Sequence, residues 1–286
     1  MNFKKLKSLP VINKILKDVP CVSVIRFSGV IADASNRRSG VSYTKFAKAI
    51  DKAFDRKDIK AVILLVNSPG GSPAQCSLIS AHMRRLADKK NVPVYAFVED
   101  VAASGGYWLS CIADEIYVQE SSIVGSIGVV SASFGFQDFI EKHGVERRVH
   151  TAGNSKSFMD PFLPVDEADV KRLKSLQKDI HKSFKEWVKS RRGDKLNGTD
   201  ATLFEGQFWT GQVALEKGLV DGIQDAHGFL FEKFGEDVKQ IECSPESKKL
   251  FGLLPIGGKL SLGQDKIVGQ ILDTVETRGE WSRYGL

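Results

Sequence analysis

Apolar positions along the chain follow two alternating patterns. Short runs rich in β-branched residues lie at Cys21–Phe27 (CVSVIRF), Ala61–Val66 (AVILLV) and Val92–Val98 (VPVYAFV), and each has the length of a strand. AVILLV contains no polar position, as expected of a strand buried on both faces. Between these runs, Tyr43–Arg56 places Phe46, Ala49, Ile50 and Phe54 on one helical face, and Pro73–Lys89 also reads as a helix. A helix-like stretch begins near Ser104, and strands are expected at Glu115–Val118 and Ile127–Val130. One more strand is expected at Val145–His150, after a short helix that Gly144 ends. Asp166 and Glu167 open a long helix to about Arg192, with Val170, Leu173, Leu176, Ile180, Phe184, Trp187 and Val188 in one stripe. Leu203–Lys217 reads as a helix closed by Gly218, and Ile267–Glu276 as a weaker one. This alternation predicts an α/β fold around a largely parallel, covered sheet. With no internal repeat or low-complexity tract, the chain divides into a basic arm (1–20), one main domain (21–245) and a Gly-rich extension (246–286).

A chain of 286 residues, 42% hydrophobic and 27% charged, can bury a sizeable core, which excludes disorder, collagen-like repetition and a disulfide-built miniature. Cys21, Cys76, Cys111 and Cys243 form no CxxC and have no paired His spacing, so they read as small core residues. The net charge of +6 is unevenly placed. Residues 1–20 carry five lysines against Asp18, a net of +4, and residues 171–195 carry ten basic residues against three acidic ones, a net of +7. The +6 total less these two leaves the rest of the chain at −5. Neither basic segment interleaves aromatic residues as a nucleic-acid surface does, so no nucleic-acid partner is expected. The long basic helix reads either as a solvated face or as a contact with a neighbouring subunit. Residues 1–20 have no apolar core of signal-peptide length, and the charge-free run Ser121 to Gln137 holds five Ser and three Gly, too polar to cross a bilayer. Phe3, Leu6, Ile12, Ile15 and Leu16 alternate with lysines in the arm, which fits peripheral membrane contact as well as a loosely packed basic tail. A cytoplasmic location, or one peripheral to the inner membrane, follows.

Candidate chemistry sits in nearly uncharged stretches. Asn67-Ser68-Pro69-Gly70-Gly71 follows AVILLV and precedes a helix. It is either a tight turn or a loop whose free amides hold developing negative charge. Ser104, in Val101-Ala102-Ala103-Ser104-Gly105-Gly106-Tyr107-Trp108, follows the next strand. It is either a helix N-cap or a nucleophile presented at a helix N-terminus. Phosphate binding is poorly supported, since Gly70-Gly71 has no following Lys and no GxGxxG occurs. None of His82, His143, His150, His181 and His227 stands in a catalytic setting. Lys156, within Gly153-Asn154-Ser155-Lys156-Ser157-Phe158-Met159-Asp160-Pro161-Phe162, reads as a surface lysine. It becomes a base only where neighbours such as Phe158 and Phe162 strip away its water.

Taken in order, NSPGG, DVAASGGY, SIVGSIGVV, GNSKSxxDPF and the later FWTGQxAxxxGLVD resemble the signal peptide peptidase A (protease IV) family of bacterial Ser–Lys serine peptidases. The resemblance runs from about residue 20 to 230. It implies a ClpP/crotonase-like spiral of ββα units, with Ser104 as nucleophile and Lys156 as general base. Ser126 would orient the lysine, and the amides of Gly71 and Gly105 would form the oxyanion hole. It further implies a peptide substrate, a homo-oligomer with active sites completed between neighbouring units, and no cofactor or metal. The family's well-known members carry an N-terminal transmembrane anchor where this chain has its basic arm. Two rival readings keep the fold: a crotonase-like enzyme handling acyl-CoA, and a non-catalytic assembly protein.

Overall fold

The computed structural model describes residues 19–33, 40–153 and 155–245, together with positions 279, 281, 282 and 284. The basic arm, apart from its last two residues, and the expected helix at Ile267–Glu276 lie outside the described residues.

The fold is α/β. Its elements are β1 (Cys21–Ser28), α1 (Tyr43–Asp55), β2 (Ile59–Ser68), α2 (Pro73–Lys90), β3 (Val94–Ala103), α3 (Gly105–Ser110), β4 (Glu115–Val118) and β5 (Ile123–Gly125). There follow α4 (Gln137–Lys142), α5 (Glu167–Arg192), α6 (Asp200–Leu203), β6 (Phe208–Thr210), α7 (Gly211–Glu216), β7 (Gly222–Ile223), α8 (Ala226–Phe234) and β8 (Lys239–Glu242). The sheet runs β6-β5-β3-β2-β1-β8, with β4 branching between β3 and β7. Every pairing is parallel except β5 with β6.

The two-residue period of the strands divides their side chains between two cores. Ile25, Phe27, Val62, Leu64, Val66, Val94, Ala96 and Val98 join the main core with residues of α1 and α2. Val22, Val24, Ala61, Ile63, Tyr95 and Phe97 face the other way, onto Phe229 and Leu230 of α8. This double burial explains why the central strands read as unbroken apolar runs. All four cysteines are free and buried.

Strand β3 serves two neighbours in turn. Tyr95–Phe97 pair with β4, and Val101–Ala103 pair with β5. Opposite, the register with β2 shifts between Val66 and Ser68, so that Ser68 pairs with Ala102. The bulge re-aims the end of β3 and sets the loops after β2 and β3 side by side.

Three expectations fail. Ile127–Val130 is no strand: the pairing residues are Ile123–Gly125, and Gly125 (φ 122°) and Ser126 (φ 54°) then turn the chain away. Val145–His150 forms no strand: it pairs with no strand among the described residues, and extended backbone needs such a partner. Leu203–Lys217 is divided into α6, β6 and α7, with Gly206 (φ 85°) breaking the helix and Trp209 pairing with Val124. Gly218 does close α7, at φ 68°.

Helix α5 starts at its N-cap Asp166, whose side chain accepts from the Ala168 amide. Only the C-terminal half of its apolar stripe is buried, at Phe184 and Val188, and Phe184 stacks on Trp108 with centroids 4.8 Å apart. Buried Arg192 bonds Asp221 at 2.6 Å and the Gly218 carbonyl, while Lys195 reaches the same carboxylate at 2.7 Å. The Tyr107 hydroxyl donates to the Leu219 carbonyl at 2.7 Å, which ties α3 to this corner.

Candidate active site

The loops after β2 and β3 carry both glycine motifs. Asn67 links them: its Nδ2 donates to Asp100 at 2.6 Å, and its Oδ1 accepts from the Val101 amide at 3.3 Å. Ser68 Oγ donates to the Gly29 carbonyl at 2.7 Å and accepts from the Gly70 amide.

Gly71 forms a parallel bridge with Ile31. The Ile31 amide donates to Gly70 O (2.8 Å), and its carbonyl accepts from Ser72 N (2.7 Å). Both bonds go to residues flanking Gly71. By the alternation of a strand, Gly71's own N–H therefore faces away from Ile31. Neither the Gly71 nor the Gly105 amide donates to any acceptor among the described residues. A Cβ on Gly105 would lie 3.2 Å from the Gly71 nitrogen, so the two amides are neighbours. A Cβ on Gly71 (φ 140°) would stand 2.0 Å from the Ile31 carbonyl oxygen.

Ser104 sits at φ 50°, ψ −118°, a conformation that L residues rarely adopt outside functional turns. Its amide donates to the Gly125 carbonyl at 2.8 Å, and its carbonyl accepts from Trp108 at 3.0 Å. Its hydroxyl makes no capping bond to α3, so the residue is not there as a helix cap. Behind it, Cys76 Sγ lies 3.6 Å from the Gly105 carbonyl, and burial pushes that thiol up to about 12, leaving it protonated and inert.

Ser104, Gly71 and Ser126 line one groove of about 770 Å³. Its apolar walls are Pro69, Val129, Val130 and Phe208, together with Leu173, Leu176 and Ile180 from the exposed half of the α5 stripe. Ser126 is fixed by its amide, which donates to Gln207 O at 2.6 Å. Tyr284 also reaches the groove and packs edge-on to Phe208 at 5.4 Å.

Lys156 is elsewhere. It is exposed, in a turn whose amide donates to Gly153 O at 3.2 Å, and it is not among the residues lining the groove. The stretch that carries it exposes Phe134, Phe136, Phe139, Val145, Phe162 and Val165. That stretch is held to α5 through the Met159 amide and Asp169, and internally by Arg147 with Asp160. Arg147 and the Phe162 amide keep the Asp160 carboxyl below the usual carboxylate range.

Thus the structure brings together Ser104, Gly71, Gly105 and Ser126, and leaves Lys156 apart within one copy. Ile31 and Tyr284 belong to none of the motifs, and Phe208 opens FWTGQxAxxxGLVD without any sign that it lines the groove. The groove-lining part of α5 was present in the sequence as a stripe, without any sign of which half would stay open.

The family model of peptidase family S49 matches residues 86–230, half of the chain. This chain belongs to peptidase family S49. The match includes the Ser104 and Ser126 segments and Lys156, in agreement with the motifs. Among S49-like relatives, the putative protease MJ0651 of Methanocaldococcus jannaschii is 32% identical over 223 residues, covering 76% of this chain and 70% of that one. The putative signal peptide peptidase SppA of Enterococcus faecium is 31% identical over 200 residues, covering 68% and 58%. A Brucella abortus protein named Na(+)/H(+) antiporter NhaA is 43% identical over 272 residues, which cover 93% of this chain. The chain spans only 37% of that protein's length. Among the described residues no helix is long and apolar enough to cross a membrane.

Proposed function

We propose that this S49 chain is a serine endopeptidase acting through a Ser104–Lys156 dyad. The observation that carries the reading is Ser104 itself, held at positive φ with a free hydroxyl beside two unpartnered glycine amides, at the floor of an apolar groove. Ser104 Oγ attacks the scissile carbonyl carbon, and its proton passes to Lys156 Nζ. The amides of Gly71 and Gly105 stabilise the oxyanion. Collapse expels the amine, which takes the proton from the lysine and leaves an acyl-Ser104 ester. Water, deprotonated by Lys156, then hydrolyses the ester and regenerates Oγ–H. Ser126 orients the lysine.

Because Lys156 lies outside the groove of its own copy, the lysine is supplied by a neighbouring copy. The exposed aromatic residues around it support burial against another chain. The apolar groove walls, and the name of the Enterococcus relative, favour signal-peptide-like or other apolar peptides. A location in the cytoplasm or against the inner membrane, with residues 1–20 as contact, fits such substrates.

The test is labelling by a fluorophosphonate probe alongside cleavage of an apolar peptide. Ser104→Ala is expected to abolish labelling, and Ser104→Ala and Lys156→Ala each to lower kcat by at least about a thousandfold. Full cleavage by either variant rejects the dyad.

A further inference from the structure

The fold and the proposed chemistry use only part of the basic helix α5. Toward its C-terminus the cations are paired: Lys189 with Asp200 at 2.6 Å, Arg191 with Asp114 at 2.9 Å, and Arg192 with Asp221. Toward its N-terminus, Lys174 and Lys178 have no hydrogen-bond or ion-pair partner among the described residues. Their helical neighbours make this costly. Positions three and four residues away from Lys174 and Lys178 hold Val170, Lys171, Ser175, Gln177, His181 and Lys182 but no acid. Lys174, Lys178 and Lys182 thus form a like-charge ladder at four-residue steps, which destabilises a helix.

The ladder faces a recess. A cavity of about 200 Å³ is lined by Lys174, Gln177, Lys178 and His181, four residues on one helical face, and by Val129 from across the gap. His181 Nε2 is buried without a partner. Gln177 and Val129 also line the groove that holds Ser104, so the recess opens as its side chamber. Glu205, an acid on the groove wall, is not part of the chamber. The space suits a small anion rather than a folded element.

We propose that this chamber is an anion subsite of the groove, receiving a carboxylate of the bound peptide: its free C-terminus or an Asp or Glu side chain. The proposal rests on the peptidase reading of the groove. It adds a selectivity for substrates with negative charge a few residues from the reacting bond, set by Lys174, Lys178 and His181.

Binding separates this proposal from catalysis. In the full chain carrying Ser104→Ala, anisotropy is measured with a dye-labelled Ala/Leu heptapeptide in three forms: free carboxylate, C-terminal carboxamide, and carboxamide with one Glu at scanned positions. At least one charged form is expected to bind about tenfold more tightly than the neutral one, and which of the two does so identifies the carboxylate's source. Lys174→Gln/Lys178→Gln is expected to bring the ratio to about one. Lys171→Gln/Lys182→Gln, which removes the same charge from the helix outside the chamber, is expected to keep the ratio. Equal binding of all forms, no binding of any, or equal loss in both double variants overturns the proposal. So does a Lys174/Lys178-dependent change confined to phosphatidylglycerol vesicles or to self-association, which would assign the chamber to a lipid or a second copy. Cleavage that survives Ser104→Ala would instead reject the Ser104–Lys156 dyad, while the measured ratio still judges the chamber.

Discussion

Gly71 shows how tightly single positions are constrained. At φ 140°, with the Ile31 oxygen where a Cβ would go, Gly71→Ala must displace the loop that carries the amide. Losing one of the two proposed oxyanion donors in this way is expected to lower kcat about 100-fold or more. The motif NSPGG already held this demand, since paired glycines after a strand imply backbone that tolerates no side chain. Ile31, which orients the amide, carried no signal, because its role lies in backbone hydrogen bonds that any apolar residue can make.

Asp221 governs stability rather than chemistry. Burial alone would raise its carboxyl, but the hydrogen bonds from Arg192 and Lys195 outweigh burial and hold it below the ordinary value. A depressed folded-state value means that the stabilisation is fully present above the unfolded value of about 4 and is lost as pH falls through the folded one. Asp221→Asn is expected to cost about 3–5 kcal/mol at neutral pH, by leaving buried Arg192 unpaired. Urea unfolding from pH 7 down to pH 3 should show a shallower acid-side decline in the variant than in the parent.

At the scale of elements, α5 does two jobs with one stripe. Phe184 is 2% exposed and stacked on Trp108, whereas Leu176 is 51% exposed on the groove wall. Phe184→Ala is expected to destabilise by about 3–5 kcal/mol. Leu176→Ala should leave Tm nearly unchanged and raise KM for apolar peptides, as steady-state kinetics beside a thermal melt would show. The central strands and long helices were legible because periodicity and burial agree there. Ile127–Val130 misled because its β-branched residues match strand preference, while a strand also needs a partner and the turn at Gly125 and Ser126 removes it. Leu203–Lys217 misled because Gly206, at φ 85°, breaks the helical pattern, and the pairing of Trp209 with Val124 is a contact distant in sequence.

At the scale of the molecule, the proposed dyad joins residues that one copy keeps apart. Mixing inactive Ser104→Ala with inactive Lys156→Ala is expected to restore part of the peptide cleavage, since some interfaces then combine an intact serine with an intact lysine. No recovery after co-refolding would place both groups in one chain. The order and identity of the motifs were legible in the chain, but this separation was not, because linear spacing says nothing about which copy a loop leans on. The exposed arm around Lys156 also bears on safety. A newly made or dissociated chain would be a blunt tool, harmless to the proteins around it, and cutting would begin only where enough copies gather. Proteolysis would then be regulated by abundance, with no inhibitor required.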